Sequence, residues 1–158
     1  MPPTISPRPK VELFCDGACL GNPGPGGWAY LLRITSPTGP KEKEAAGSDP
    51  ETTNNRMELS AALKGLEALT KPCQVRLVSD SQYVLKGLDS WMDGWKRKGW
   101  RKADGQPVLN VELWQALDQQ RRIHHIETEW VRGHAGHPEN ERVDQLAREA
   151  AEQIKARL

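Results

Sequence analysis

Four acidic residues and one histidine stand where a charge sits beside apolar structure. Asp16 follows the run Val11-Glu12-Leu13-Phe14-Cys15 and precedes the turn-rich stretch Gly17 to Gly26. Asp80 repeats that pattern after Gln74 to Ser79, QVRLVS. A carboxylate at the end of an apolar strand needs compensation. A metal ion can supply it, and so can the backbone N–H groups of a following turn or helix. Asp80 also occupies a position suited to a helix N-cap. Glu58 comes three residues after Asn55, the spacing of a capping box, and this is its stronger local explanation. Asp144 lies one residue from the apolar stripe of the last helix. Arg148 stands four residues on as an ion-pair partner, although an acid beside a core-facing stripe can also point into a cleft. His134 falls in the loop Arg132-Gly133-His134-Ala135-Gly136-His137-Pro138. Histidine is suited to moving protons near neutral pH, but a loop histidine is more often simply solvated. His137, just before Pro138, is assigned to the helix start. Two strand-end aspartates in one small domain are harder to dismiss than one, because ligand sites in α/β sheets favour that end.

The elements that must position these groups are readable from periodicity. Val11 to Leu32 predicts two strands joined through the Gly/Pro-rich stretch. A polar third strand is expected at Lys41 to Ala46, completing an antiparallel meander. Leu59, Ala62, Leu63, Leu66 and Leu69 recur at helical spacing, so Arg56 to Thr70 predicts an amphipathic helix that Lys71-Pro72 ends. Gln74 to Ser79 predicts a fourth strand, with a helix opening after Asp80. A further helix runs from Val111 to about His124, and Ile126 to Val131 alternates as a fifth strand. Glu139 to Arg157 carries Val143, Leu146, Ala147, Ala150 and Ile154 on one face of a final helix. The order is β-β-β-α-β-α-α-β-α.

The chain has 158 residues, 37% hydrophobic and 27% charged, which suits one soluble globular domain. No apolar run approaches the ~20 residues of a membrane span. Residues 1–10 lack the apolar centre of a signal peptide and are expected to be a disordered lead-in. Cys15, Cys19 and Cys73 have no zinc-type spacing and are read as reduced thiols of a cytoplasmic protein. Net charge is only +1, so bulk charge does not announce a polyanionic partner. Its distribution does more. Trp91, Trp95 and Trp100 interleave with Lys96, Arg97, Lys98, Arg101 and Lys102. Rings can pack on sugars and cations can neutralise phosphates, so the segment is read as a nucleic-acid handle. The alternative is a helix whose tryptophans face the core while its lysines stay wet.

Taken with their order, these segments resemble type 1 ribonuclease H in its bacterial single-domain form. The matching pieces are FCDGACLGNPGPGGWAYLL, TTNNRMELSAALKGLEAL, LVSDSQYVLKGL, NVELWQAL and WVRGHAGHPENERVDQLA. They cover nearly all of Val11 to Ala151. The resemblance implies an α/β ribonuclease H-like fold: a mixed five-stranded sheet, its first three strands antiparallel, flanked by helices. It implies a single catalytic domain over 11–158 that hydrolyses the RNA strand of RNA–DNA hybrids, leaving 5′-phosphate and 3′-hydroxyl ends. Asp16, Glu58, Asp80 and Asp144 match the family's metal-binding carboxylates. Phosphodiester cleavage needs an activated water and a stabilised leaving oxyanion, which two Mg²⁺ ions ~4 Å apart can supply. Mg²⁺ prefers oxygen ligands and keeps several waters, so carboxylates from separate elements suit it, with Mn²⁺ as a substitute.

The resemblance also implies that His134 assists proton transfer or product release. It places Cys19, Asn22, Asn54, Asn55 and Gln82 along the hybrid's minor groove, where amides can test for a 2′-hydroxyl. Thr53 matches a contact to a DNA-strand phosphate. Trp91, Trp95, Lys98, Trp100 and Arg101 belong to a basic protrusion that guides the DNA strand. Gly105, Gln106 and Leu109 depart from the pattern, standing where close bacterial relatives often carry lysines, so a weaker hybrid affinity and a shallower salt dependence are expected. The short N-terminus has no room for a separate hybrid-binding module, so low processivity is expected. The chain is read as self-contained and monomeric. Three rivals are an integrase or junction resolvase of the same superfamily, an inactive hybrid-binding relative, and a detached reverse-transcriptase domain. The GHAGHPENERVD loop, the intact acids and the absence of any polymerase sequence argue against them in turn.

Overall fold

A computed structural model describes residues 8–133 and 135–158. Its sheet is built on strand β1 (Lys10–Cys19), which is buried along most of its length. On one side β1 pairs antiparallel with β2 (Gly24–Ile34), which pairs antiparallel with β3 (Lys41–Thr52). On the other side it pairs parallel with β4 (Gln74–Ser79), which pairs parallel with β5 (His125–Trp130). The order is β3-β2-β1-β4-β5. This is the mixed sheet that the resemblance implied.

The two faces of β1 explain why its run is apolar on both sides. Val11, Leu13 and Cys15 join Tyr30 and Leu32 of β2 and Val75 and Leu77 of β4 in the larger core. Helix α1 (Asn54–Glu67) covers that face with Leu59, Ala62, Leu63 and Leu66 of the predicted stripe; it ends at Glu67, short of the expected Thr70, so Leu69 packs against the core from beyond the helix. Phe14 faces the other way, with Ala29, Leu31 and Val78. Helix α5 (Pro138–Ala156) closes that side with Val143 and Ala147. Central strands covered on both faces lose the alternation of a half-wet strand. Between β4 and β5 run α2 (Gln82–Lys86), a π-helical turn (Gly87–Trp91), α3 (Met92–Arg97) and α4 (Val111–Ile123). Among the described residues no helix is long and apolar enough to cross a membrane.

Several local expectations change. β1 starts at Lys10, and residues 1–7 of the expected lead-in lie outside the described residues. The strand does not stop at Asp16 but continues to Cys19, because Asp16 to Cys19 pair with Ala29 to Gly26 of β2. What looked like a ten-residue turn is the end of one strand and the start of the next. β3 extends to Thr52 rather than Ala46, since β2 offers it a ladder back to Gly24. The capping box does not form. Thr53 is the N-cap of α1, its Oγ1 accepting from the Arg56 N–H at 3.3 Å. Asp80 does not cap α2, because Ser81 does so, accepting from the Val84 N–H at 3.2 Å. His137 does cap α5: its Nδ1 accepts from the Asn140 N–H at 3.2 Å.

Candidate active site

The registry of β1 on β4 creates the site. Phe14 is level with Val78 at the end of the parallel ladder. Asp16 and Asp80 each come two residues later, just past the end of that ladder, so their carboxylates stand side by side. Glu58 arrives from α1, which lies so close to β1 that a Cβ at Gly17 would stand 2.4 Å from the Glu58 backbone nitrogen. Only glycine permits that approach. The Gly17 N–H donates to Glu58 Oε1 at 3.1 Å, which anchors one carboxylate oxygen.

Ligand oxygens of Asp16, Glu58 and Asp80 lie within 4.8 Å of one another. Asp144, from α5, lines the same open cavity of about 310 Å³ together with Asn54 and Ser81. Its carboxylate also accepts from Arg148 Nε at 3.1 Å, so the ion pair and the cleft position coexist. Burial, and then the charges of Glu58 and Asp80, hold Asp16 far above the usual carboxylate range. Burial is also the main cause that raises Glu58 to about 7, with the charges of Asp80 and Asp144 adding and the Gly17 N–H opposing. Glu58 Oε2 is buried without a hydrogen-bond partner among the described residues. Such an orphaned oxygen costs free energy unless something external satisfies it. A set of hard oxygens, mutually repelling and incompletely bonded, fits a divalent cation.

The other sequence-derived residues fall into three groups. Near the acids, Asn22 Oδ1 accepts from the Asn54 N–H at 3.0 Å, tying the β1–β2 turn to the start of α1. Asn54 and Asn55 are exposed, Thr53 is half-buried, and the Cys19 thiol points to the carbonyls of Gly24 and Thr52. Gln82 lies on another groove of about 470 Å³, with Lys86 and Trp130. Farther off is the cationic segment. Trp91 is exposed, whereas Trp95 and Trp100 pack against the core. Trp95 meets Trp114 edge-on at 5.3 Å. Lys98 and Arg101 are exposed, as are Gly105, Gln106 and Leu109. Finally, His134 lies outside the described residues.

Periodicity gave no reason to single out two participants. The Gly17 amide was hidden because backbone donors leave no mark on residue type. The sequence marks Trp130 only as part of β5, yet the residue is half exposed and its Nε1–H donates to the Asp80 carbonyl at 3.1 Å. A large aromatic on the wet side of a strand, three residues before a glycine loop, was the available signal.

Comparison with known proteins agrees with this geometry. Residues 8–152 match the RNase H family. The ribonuclease H of Bradyrhizobium sp. (strain ORS 278) is 60% identical over 145 residues, 92% of each chain. That of Halorhodospira halophila (strain DSM 244 / SL1) is 56% identical over 149 residues, 94% of this chain and 97% of that one. Among solved structures, LC9-RNase H1, a type 1 RNase H with the type 2 active-site motif, has a TM-score of 0.86 at 35% identity. It aligns over 96% of this chain and 76% of its own. Fold and acidic pocket together define a metal-dependent nuclease on a mixed five-stranded sheet. The chain belongs to the ribonuclease H family, on its type 1 branch.

Proposed function

We propose that the protein cuts the RNA strand of RNA–DNA hybrids internally, with Mg²⁺ held by Asp16, Glu58, Asp80 and Asp144, releasing 5′-phosphate and 3′-hydroxyl ends. The observation that carries this is the group of three carboxylates within 4.8 Å, one with an unpartnered buried oxygen. Mg²⁺ ions bound there would supply an activated water and offset charge on the leaving oxygen. The chain's own residues do the remaining work. The four acids would hold the cation and set its position, and Asp16 and Glu58, which burial makes slow to ionise, would give up their protons to it. His134 carries a proton to or from the cut ends.

Discrimination of the RNA strand falls to Cys19, Asn22, Asn54, Asn55 and Gln82 in the minor groove, where an amide can both donate to and accept from a 2′-hydroxyl. Thr53 holds a DNA-strand phosphate. Trp91, Trp95, Lys98, Trp100 and Arg101 seat the DNA strand farther along, Trp91 by ring contact and the cations by charge. Trp95 and Trp100 act mainly by shaping the surface, since both are packed inward. The chain works as one catalytic domain over 11–158, as a cytoplasmic monomer.

The decisive experiment is cleavage of a labelled RNA–DNA duplex with Mg²⁺ and with EDTA, beside RNA–RNA and DNA–DNA duplexes. Mg²⁺-dependent cutting of the hybrid's RNA alone is expected. Cutting of double-stranded DNA would favour a resolvase-like activity, and hybrid binding without cutting would make the chain an inactive binder.

A further inference from the structure

Asp80 leaves the sheet at the last rung between β4 and β5. Ser79 is level with Trp130, and the Val131 N–H donates to the Ser79 carbonyl at 3.0 Å. Beyond that rung the ladder stops. The Asp80 carbonyl is then taken by the Trp130 indole N–H at 3.1 Å. A side-chain donor thus extends the parallel ladder by one residue, to the residue that bears a carboxylate of the acidic pocket. From the same segment, Gly133 passes the carboxylate itself: a Cβ there would stand 2.8 Å from Asp80 Oδ2. Ser79 Oγ accepts from the Ser81 N–H at 3.0 Å and Ser81 caps α2, so the turn after Asp80 is anchored at both serines. Asp80 is therefore held by its carbonyl on one side and limited at its carboxylate on the other.

We infer that Trp130 is a positioning residue for Asp80, with Gly133 as the opposing wall. Together they set the angle at which this carboxylate meets the cation. This rests on the metal-dependent function proposed above. The test is Trp130→Phe, which keeps the ring and removes the donor, alongside Gly133→Ala, which adds the missing Cβ against Oδ2. Each variant is titrated with Mg²⁺ twice: by hybrid cleavage, and without substrate by the rise in melting temperature.

Orienting partners of metal ligands affect metal affinity, and one hydrogen bond here is half exposed, so a rise of about fivefold in the Mg²⁺ midpoint is expected for Trp130→Phe. KM for the hybrid should stay within about twofold, because a group acting through a metal ligand alters the ion site rather than uniform substrate binding. A folded Trp130→Phe with an unmoved Mg²⁺ midpoint overturns the inference. So does a rise in KM alone, which would make the indole a stacking contact. If Trp130→Phe does not fold, Gly133→Ala decides by the same midpoint. Wild-type protein that fails to cut the hybrid defeats the proposed function, while the substrate-free titration still judges the role of Trp130.

Discussion

Two buried aspartates in this molecule have opposite surroundings. Asp118 on α4 is about as buried as Asp16 on β1, at 4% and 3% exposure. Around Asp118 the chain supplies cations: Lys96 at 3.1 Å and Arg121 and Arg122 at 3.3 Å. Around Asp16 it supplies more acid, Glu58 and Asp80. A buried charge is tolerated when it is paired. Asp118 has its partners within the chain and ties α3, with its cationic end, to α4. Asp16 lacks such partners among the groups nearest it, so its compensation comes from protons or from an added cation. Similar burial thus serves structure in one place and chemistry in the other.

Reversing each environment tests the contrast. Asp16→Asn is expected to lower kcat by about 1,000-fold or more, roughly 4 kcal/mol of barrier, with cleavage kinetics as the check. The same change should raise the melting temperature in EDTA at neutral pH, because the amide is neutral without having to hold a proton that the unfolded chain releases. A lowered value would mean that Asp16 is satisfied by the fold. Asp118→Asn should do the reverse, costing about 2 kcal/mol of stability by leaving cations unpaired. Chemical denaturation would show it, with kcat nearly unchanged. His134→Ala should lower kcat by about tenfold to a hundredfold, far less than Asp16→Asn. Equal losses would end its auxiliary role.

The pH dependence sharpens the same comparison. Glu58 titrates at about 7 in the folded protein against an ordinary 4.5, so the native state holds its proton more tightly than the unfolded chain. Its contribution to metal-free stability is present below about pH 4.5 and is lost as pH rises through about 7, because stability falls where the native state binds more protons. Asp16, raised for the same reasons, prolongs that loss. Mg²⁺ takes the place of those protons, so its stabilising effect, read as a melting-temperature gain, should grow between about pH 5 and pH 8. The smallest effect belongs to the cationic segment. Lys98→Ala and Arg101→Ala should each reduce the slope of log affinity against log salt by about one, measured as hybrid binding in Ca²⁺ or EDTA.

Long-range consistency made most of this legible in the letters. The two-sided apolar run of β1, the stripe on α1 and the alternation around Trp130 reflect burial, which sequence patterns report well. Cap assignments were less legible. Asn55 and Thr53 are both competent caps at the start of α1, as are Asp80 and Ser81 before α2, and the choice depends on where each backbone enters its helix. Freed from capping, Glu58 and Asp80 are left for the cluster. The length of β1 was also hidden. Glycines and prolines after Asp16 signal a turn locally, yet β2 is long enough to keep pairing as far as Cys19. The spacing of the acids was invisible for another reason: it depends on how α1 sits on β1, a distance that no single segment contains.

Position 17 carries that distance. A library that samples all twenty amino acids there should return glycine almost alone, although the residue has no functional group to select. Even alanine would push α1 outward and take Glu58 with it. Design efforts that transplant these acids to another scaffold must therefore copy the bare backbone between them, since the separation of two layers, and not a side chain, sets the size of the cation's seat.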